Sequence, residues 1–381
     1  RIDHKPTQIS GGEATRAGIA VALANEPELI LADQITGELD SITTQETMDY
    51  LKELNDEFGT TMFIATHKKQ FIDFTDRSFE ISDGRIIKIL TQIDEYQQVT
   101  LVDSLGNVVT LNEPPERIVS LAPSNTEILF AVGAGDKVVG ITDYCNYPYD
   151  FSAWIDAGNM TSIGSYYGPS TEPIVALEPD LILASTGSLD AADQLSNLGY
   201  NVLVIEGYTI DEVLGDILLV GRATDKNSEA ATLVSDMRAR MDSIATQLLD
   251  ATTTPTVYHE VWNDPLMSVG PDTFIDELIT RAGGENIFND ATTSWPMVSS
   301  EAIITKNPDV MFFPDMYMGV GNFYETIEVV GSRPGWDSIT AVENDNLYEI
   351  NADIISRSGP RLVDALEQIA KMVHPEIFGE L

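Results

Sequence analysis

The sequence predicts an α/β protein built as two Rossmann-like lobes joined by one long backbone helix, and three patterns predict it. The first is a passage that occurs twice, 129 residues apart: Ser170-Thr171-Glu172-Pro173-Ile174-Val175-Ala176-Leu177-Glu178-Pro179-Asp180-Leu181-Ile182-Leu183 returns as Ser299-Ser300-Glu301-Ala302-Ile303-Ile304-Thr305-Lys306-Asn307-Pro308-Asp309-Val310-Met311-Phe312. In each copy a Ser/Thr cap and an acid open a short helix, Pro-Asp ends the turn, and an apolar run reads as a buried parallel strand. The second pattern is strand, capped turn and helix recurring from Ile118 to about Ile205, the habit of a doubly wound lobe. The third is a helical stretch from Ser228 to Leu249 in which Val234, Met237, Met241, Ile244 and Leu248 recur at spacings of three and four. Its 22 residues, at 1.5 Å each, span about 33 Å, enough to bridge two lobes. A lone helix between lobes is stiff and implies little closure on ligand; the alternative is a surface helix packed on one lobe. Two similar lobes imply a cleft between them.

From the N-terminus, Ile9-Ser10-Gly11-Gly12-Glu13 precedes a helical stretch, Ala14 to Asn25. A strand Leu29–Asp33, the run Gly37-Glu38-Leu39-Asp40 and a strand ending in Ile64-Ala65-Thr66-His67 follow. Ser-Gly-Gly at a helix start offers free N–H groups and a hydroxyl to an anion. An Asp ending an apolar strand can hold a metal-bound water, and a His after a strand can contact a phosphate. In this order and spacing, Arg1 to about Leu90 resembles the C-terminal half of an ABC-transporter ATPase, closest to the lipoprotein-release and macrolide-export branch, where a stretch like Arg1-x-x-His4-x-Pro6 precedes the signature. The resemblance implies a partial ABC-ATPase α/β subdomain over residues 1–90, with Ser10, Gly11 and Gly12 as the signature motif, Asp33 as the Walker B aspartate, Asp40 as the D-loop and His67 as the switch histidine. The phosphate loop GxxxxGK[ST] is absent from the chain, and Gln34 stands where that family places its catalytic glutamate. A neutral amide cannot take a proton from attacking water, so this nucleotide-contact remnant is expected to hydrolyse nothing.

Residues 91–115 read as a polar linker and a hairpin, Val99–Val102 and Val108–Leu111 around Ser104-Leu105-Gly106-Asn107, closed by Pro114-Pro115. Strand Ile118–Leu121 then runs into Ala122-Pro123-Ser124-Asn125-Thr126-Glu127 and an apolar helix. The boundaries expected are 116–222 for lobe 1, 223–252 for the backbone helix and 253–381 for lobe 2.

Residues 97–381 resemble the substrate-binding proteins of ABC importers, in the helical-backbone class that serves cobalamin, iron–siderophore and haem uptake. The motifs are Arg117-Ile118-Val119-Ser120-Leu121-Ala122-Pro123-Ser124-Asn125-Thr126-Glu127, Gly283-Gly284-Glu285-Asn286-Ile287-Phe288, Ser294-Trp295-Pro296-Met297-Val298-Ser299 and Ser358-Gly359-Pro360-Arg361. The second and third lean towards the cobalamin branch. A flat, bulky ligand needs aromatic walls and a few polar fixers, and aromatics fall at the predicted C-terminal mouths of strands: Tyr144, Tyr166, Tyr167, Trp262, Trp295 and Tyr317. With Ser124 and Asn125 they form the expected ligand set. The resemblance puts Tyr166 and Trp295 in the places of stacking tryptophans, and Asp353 and Arg357 in those of an acid and an arginine facing corrin side chains. Met267 and Ser185 stand where the cobalamin branch has an aromatic and a tryptophan. Arg357 is equally suited to a siderophore carboxylate or a haem propionate. Glu172 and Glu301, equivalent in the repeat, are explained physically by a helix macrodipole; the resemblance adds that one glutamate per lobe docks on arginines of the permease.

With 61 acidic against 21 basic residues the net charge is −40, and no basic stripe exists to neutralise the phosphates of a nucleic acid. The acidity is spread over the whole chain, which reads as a habit of the organism rather than a local device. One cysteine, Cys145, excludes an intrachain disulfide and a CxxC site, and four scattered histidines give no HxxxH or HExxH spacing. No resident metal or cofactor and no enzymatic triad is expected. No apolar run reaches 18 residues, and no signal peptide is legible, so membrane contact is expected only through a permease or a missing anchor. The expected function is the receptor of an ABC importer for a corrinoid, placed outside the cytoplasm, with an ABC permease dimer, its ATPase and a small-molecule ligand as partners. The alternatives are a receptor for a ferric siderophore or haem, and an ABC ATPase fragment, itself cytoplasmic, fused to a receptor-like domain.

Overall fold

The computed structural model describes residues 18–19, 21–22, 27, 29–34, 47–48, 51, 55, 61–66, 75, 77–82, 85–91, 98–316 and 325–380. The chain divides into two compact units, 1–97 and 98–381. In the first, β1 (Leu29–Asp33) pairs in parallel with β2 (Thr61–Ala65), Leu29 opposite Thr61 and Asp33 opposite Ala65. Gln34 leaves the strand at φ 48°, its N–H donating to Ala65 O at 2.8 Å. An antiparallel pair, β3 (Arg77–Ser82) and β4 (Arg85–Thr91), follows. The expectations at Ser10, Gly11, Gly12, Asp40 and His67 lie outside the described residues.

The second unit opens with the expected hairpin, β5 (Val99–Val102) and β6 (Val108–Leu111). Its turn docks on the edge of the next sheet. Ser104 N–H donates to Val204 O, Val204 N–H to Asp103 Oδ2, and Glu206 N–H to Ser104 Oγ, at 3.0, 3.1 and 3.0 Å. That sheet is β7 (Ile118–Ser120), β8 (Val138–Ile141), β9 (Thr161–Ser162), β10 (Leu181–Ala184) and β11 (Val202–Val204), ordered β11-β10-β7-β8-β9 and parallel throughout. The chain order reverses between β7 and β10, so the turns after these two strands diverge and leave a crevice at their C-terminal ends. The helix α1 (Pro123–Ala131) leaves from β7, α2 (Thr171–Ala176) precedes β10, and α3 (Leu189–Asn197) follows it.

Helix α4 (Ile210–Ala223) starts with a reciprocal capping box between Thr209 and Glu212, and α5 (Asn227–Gln247) is the long helix read from the sequence. Val234, Met237, Met241 and Ile244 are buried as the spacing requires, and Ala230 joins them. The stripe does not face one lobe alone. It packs on α4 and on two helices of the second lobe, α6 (Phe274–Arg281) and α9 (Leu362–Val373), within one apolar cluster that runs through both lobes.

The second lobe is a sheet ordered β13-β12-β15-β16, from β12 (Thr256–Asn263), β13 (Leu266–Ser268), β15 (Val310–Pro314) and β16 (Leu347–Ile350), with β14 (Glu285–Asn286) on β12. Only β13 runs antiparallel. The repeated passage folds alike in both lobes: α2 leads to the wholly buried β10, and α7 (Ser300–Lys306) to the wholly buried β15, followed in the chain by α8 (Ala352–Ser356) after β16. The caps differ. Ser299 Oγ accepts Ala302 N–H at 3.2 Å, whereas Ser170 takes the extended cap conformation without a side-chain bond. The Pro-Asp pair has a role the sequence does not announce. Asp180 accepts the N–H groups of Glu116 and Arg117 at 2.8 and 3.0 Å, and Asp309 accepts Thr256 N–H at 2.8 Å. In each lobe this aspartate therefore pins the start of the neighbouring strand, β7 or β12, satisfying N–H groups that the sheet leaves open.

Candidate ligand cleft

The two sheets meet through side chains that follow their strand ends. Glu127, in α1, is 1% exposed in its side chain. Arg357, just past α8, donates through Nη1 to Glu127 Oε1 at 2.8 Å, and Arg361 donates through Nε and Nη2 to Glu127 at 2.8 and 2.6 Å. Arg357 also donates to Asn146 Oδ1 at 2.8 Å and to Tyr144 O at 3.1 Å, and pairs with Asp353 at 2.6 Å. Asn146 closes the ring by donating to Asp353 Oδ2 at 2.8 Å. Two carboxylates and two guanidiniums thus cancel across the seam between lobes, and the Tyr147 ring covers Arg361 at 4.1 Å. Glu127 raises the Arg361 guanidinium above its ordinary range despite the opposing effect of burial. Glu127 and Arg361 were not singled out from sequence as site residues, although both end quoted motifs; the signal was an acid directly before the apolar run Ile128–Ala131 and two arginines four apart around Ser-Gly-Pro.

Among the expected ligand residues, Arg357 is 5% exposed and engaged with protein partners, with Nε alone left without one. Asn125 is fully buried; its Nδ2 donates to Ala184 O at 2.9 Å and so ties α1 across the crevice between β7 and β10. Its Oδ1 has no partner. Ser124, one position earlier, is half-buried. On the lobe 1 edge Tyr144, Tyr166 and Tyr167 follow β8 and β9; Tyr167 is 63% exposed and lies edge-on to Tyr166 at 4.8 Å. Ser185 Oγ, after β10, donates to the Tyr166 hydroxyl at 3.3 Å, and burial raises that phenol's pKa. Residue 187 must be glycine for this ring position, because an added Cβ would stand 2.4 Å from the Tyr166 ring.

In lobe 2 Trp262 is the penultimate residue of β12 and donates to Asp264 O at 2.9 Å. Trp295 is 40% exposed. Its segment is zipped to the β13 side by Ser268 N–H to Pro296 O and Gly270 N–H to Ser294 O, at 3.0 and 2.8 Å. Gly270 allows this approach; a Cβ there would lie 2.1 Å from Thr293 O. Tyr317 lies outside the described residues. Tyr144, Tyr166 and Tyr167 thus follow the C-terminal ends of β8 and β9, and Trp262 lies near that of β12, whereas Trp295 falls in the loop between β14 and β15, beside β13; the Glu127 cluster joins the two lobes. A cavity of about 520 Å³ opens along that seam. Asn146, Tyr147, Asp353, Arg361, Asp364 and Lys371 belong to its wall, and of the expected ligand residues only Asp353 lines it.

Burial lowers His259 to about 4, so it is neutral, stacked on Phe312 at 4.4 Å. Cys145 is buried between Thr126 and Thr142, and burial pushes its thiol up. Among the described residues no group of His, Cys, Asp and Glu could hold a metal ion, and no helix is long and apolar enough to cross a membrane. Glu172 and Glu301 are both exposed, one at the start of α2 and one at the start of α7. The Glu301 carboxyl is held below its ordinary range by its own backbone N–H and the Ser299 hydroxyl.

The periplasmic binding protein family matches residues 118–354. An uncharacterized ABC transporter substrate-binding lipoprotein of Bacillus subtilis, YvrC, is 33% identical over 297 residues, covering 76% of this chain and 90% of the relative. The solved structure of the periplasmic vitamin B12 binding protein BtuF of Vibrio cholerae superposes with a TM-score of 0.57 at 28% identity, over 68% of this chain and 97% of that one. A possible iron-binding, periplasmic solute-binding protein of Staphylococcus epidermidis gives 0.59 at 29% identity, over 69% and 100%. These relatives are binding proteins and not enzymes. Two lobes closed on each other by Glu127, a cleft edged with aromatics and this breadth of likeness have one reading: the chain belongs to the periplasmic binding protein family.

Proposed function

We propose that residues 98–381 are the receptor of an ABC importer for a corrinoid, held between the two lobes and delivered outside the cytoplasm to a permease dimer and its ATPase. The observation that supports this is the placing of Tyr144, Tyr166 and Tyr167 after β8 and β9 in one lobe and of Trp262 near the end of β12 and Trp295 beside β13 in the other, aromatic surface of the kind a flat ligand needs. The likeness to a vitamin B12 binding protein along nearly its whole length supports the corrinoid. A ferric siderophore or haem is the second reading, favoured by the likeness to the possible iron-binding protein and by Ser185 and Met267 in place of aromatics. In this reading Ser124, Tyr166 and Trp295 contact the ligand, while Asn125, Asp353 and Arg357 hold the floor. Glu172 and Glu301 dock on the permease. For residues 1–90, Asp33 at the C-terminal end of β1, parallel to β2, supports the reading as an ABC-ATPase remnant; purified chain should show no ATP turnover above background. Tryptophan fluorescence titration with cyanocobalamin, cobinamide, haem and ferric siderophores tests the receptor. Saturable quenching by a corrinoid is expected, and no response to any of them overturns it.

A further inference from the structure

We propose that Glu127 and Asp353 set the charge specificity of the cleft: by neutralising Arg357 and Arg361 they restrict it to chelates without net negative charge. This rests on the receptor reading above and narrows it, because corrinoids and neutral hydroxamate chelates fit such a cleft, whereas propionate-bearing haem and carboxylate chelates do not.

An anionic ligand needs a cation whose charge is still available when the ligand arrives. Residues 98–381 hold twelve Lys and Arg. Several are spent at the opposite, N-terminal edges of the strands, as Arg117 is on Leu177 O and Lys137 on Glu116. Near the C-terminal strand ends of lobe 2, Arg333 forms a two-pronged pair with the buried Glu260 at 2.6 and 2.8 Å and a further pair with Glu325 at 2.8 Å. Arg357 and Arg361 converge on Glu127, and Arg357 on Asp353 as well. Lys371 stands in the cavity wall, but Asp364 and Glu367 share that wall, and Arg240 pairs with them at 2.6 and 2.8 Å. Around the cavity, Glu127, Asp353, Asp364 and Glu367 thus balance Arg240, Arg357, Arg361 and Lys371.

Beyond this balanced set the strand ends add carboxylates. Glu206, after β11, accepts from Thr186 N–H and Oγ at 2.8 and 2.9 Å. Asp315, after β15, accepts from Ala352 N–H at 2.8 Å. Among the described residues no cation pairs with either. A ligand carboxylate brought here would leave water without gaining a counter-charge and would meet Glu206 and Asp315, a cost that rises as the cleft excludes solvent. A cationic or neutral chelate meets no such penalty, and the acidic surface steers a cation inward.

The test is calorimetric titration of the full chain with cyanocobalamin and a neutral ferric hydroxamate, with cationic cobinamide, and with haem and ferric citrate as anions. The expected result is at least 10-fold tighter binding of a neutral or cationic probe than of either anion, and an affinity for the cationic probe that falls with added salt. Asp353→Asn, which releases one arm of Arg357, should narrow the difference at least 5-fold, and Glu127→Gln should do the same if Asp353→Asn does not fold. Anion binding as tight as that of the neutral probes overturns the inference and leaves the receptor reading standing. An unchanged ratio in a folded Asp353→Asn overturns the role of Asp353. Binding of no probe overturns the receptor reading, and this inference with it.

Discussion

Glu127 is the acceptor for two guanidiniums in a place that water hardly reaches. A buried pair of this kind adds little over apolar packing, yet removing one partner strands the others. Glu127→Ala should therefore cost about 3–5 kcal/mol of unfolding free energy, and Glu127→Gln less, since an amide oxygen still accepts from Arg361. Urea unfolding measures both; a loss under 0.5 kcal/mol for the alanine variant would show that the seam relaxes and takes in water. Asp216 offers a second test, with pH as the variable. Burial pushes its carboxyl up to about 7, with Glu206 and Glu212 adding to the effect and the Ser104 hydroxyl opposing it. Its folded pKa lies above an unfolded value of about 3.9, so its stabilising contribution is complete below about pH 4 and lost as pH rises through 7. Asp216→Asn, which keeps an acceptor for Ser104, should stabilise the protein at pH 8 by up to about 4 kcal/mol, with the gain gone at pH 4. An equal change at both pH values would contradict the assignment. His259 works in the opposite direction: depressed to about 4 by burial, it contributes stability above about pH 6.5 that is lost as pH falls through 4. At this scale little was legible in advance. Tyr166 and Tyr167 were readable as large aromatics following a strand, while Trp295, expected at a strand mouth, lies in the loop between β14 and β15; the partners of Glu127 lie 230 and 234 residues away, and no local pattern encodes such a distance.

At the scale of elements the repeat was the readable signal, because helix period, turn chemistry and an apolar run all operate within about fourteen residues. The structure returns it as α2–β10 and α7–β15. What sequence could not give was the pinning of β7 and β12 by Asp180 and Asp309, since each depends on which strand lies alongside. The missing cap at Ser170 has the same origin: its backbone is extended as a cap should be, but the hydroxyl finds no N–H. Glu172 and Glu301 bear on function here. Exposed at two equivalent helix starts, each should be replaceable by Ala with little loss of ligand affinity and at most about 1 kcal/mol of stability. The double substitution should nevertheless weaken binding to the cognate permease at low salt, where rim charges set encounter and orientation. Equal permease affinity for wild type and the double variant would leave only the helix-terminus role.

For the whole binding unit, the long helix α5 is part of a shared core and not a free rod: its stripe from Ala230 to Ile244 packs with helices of both lobes. Together with the neutral Glu127 seam, that predicts a cleft shaped before the ligand arrives, with little lobe movement on binding. Neither the seam nor the cavity beside it was legible in advance, because both arise where two separately readable lobes touch. The central claim is that a flat chelate binds between the aromatic edges of these lobes. Its most direct measurement is calorimetric titration of the full chain with cyanocobalamin, wild type against Trp295→Ala and Tyr166→Ala. Saturable binding that weakens about 10-fold or more in each variant, with the unfolding transition unchanged, is the result expected; binding unaffected by both substitutions, or absent for every corrinoid and iron chelate, would contradict it.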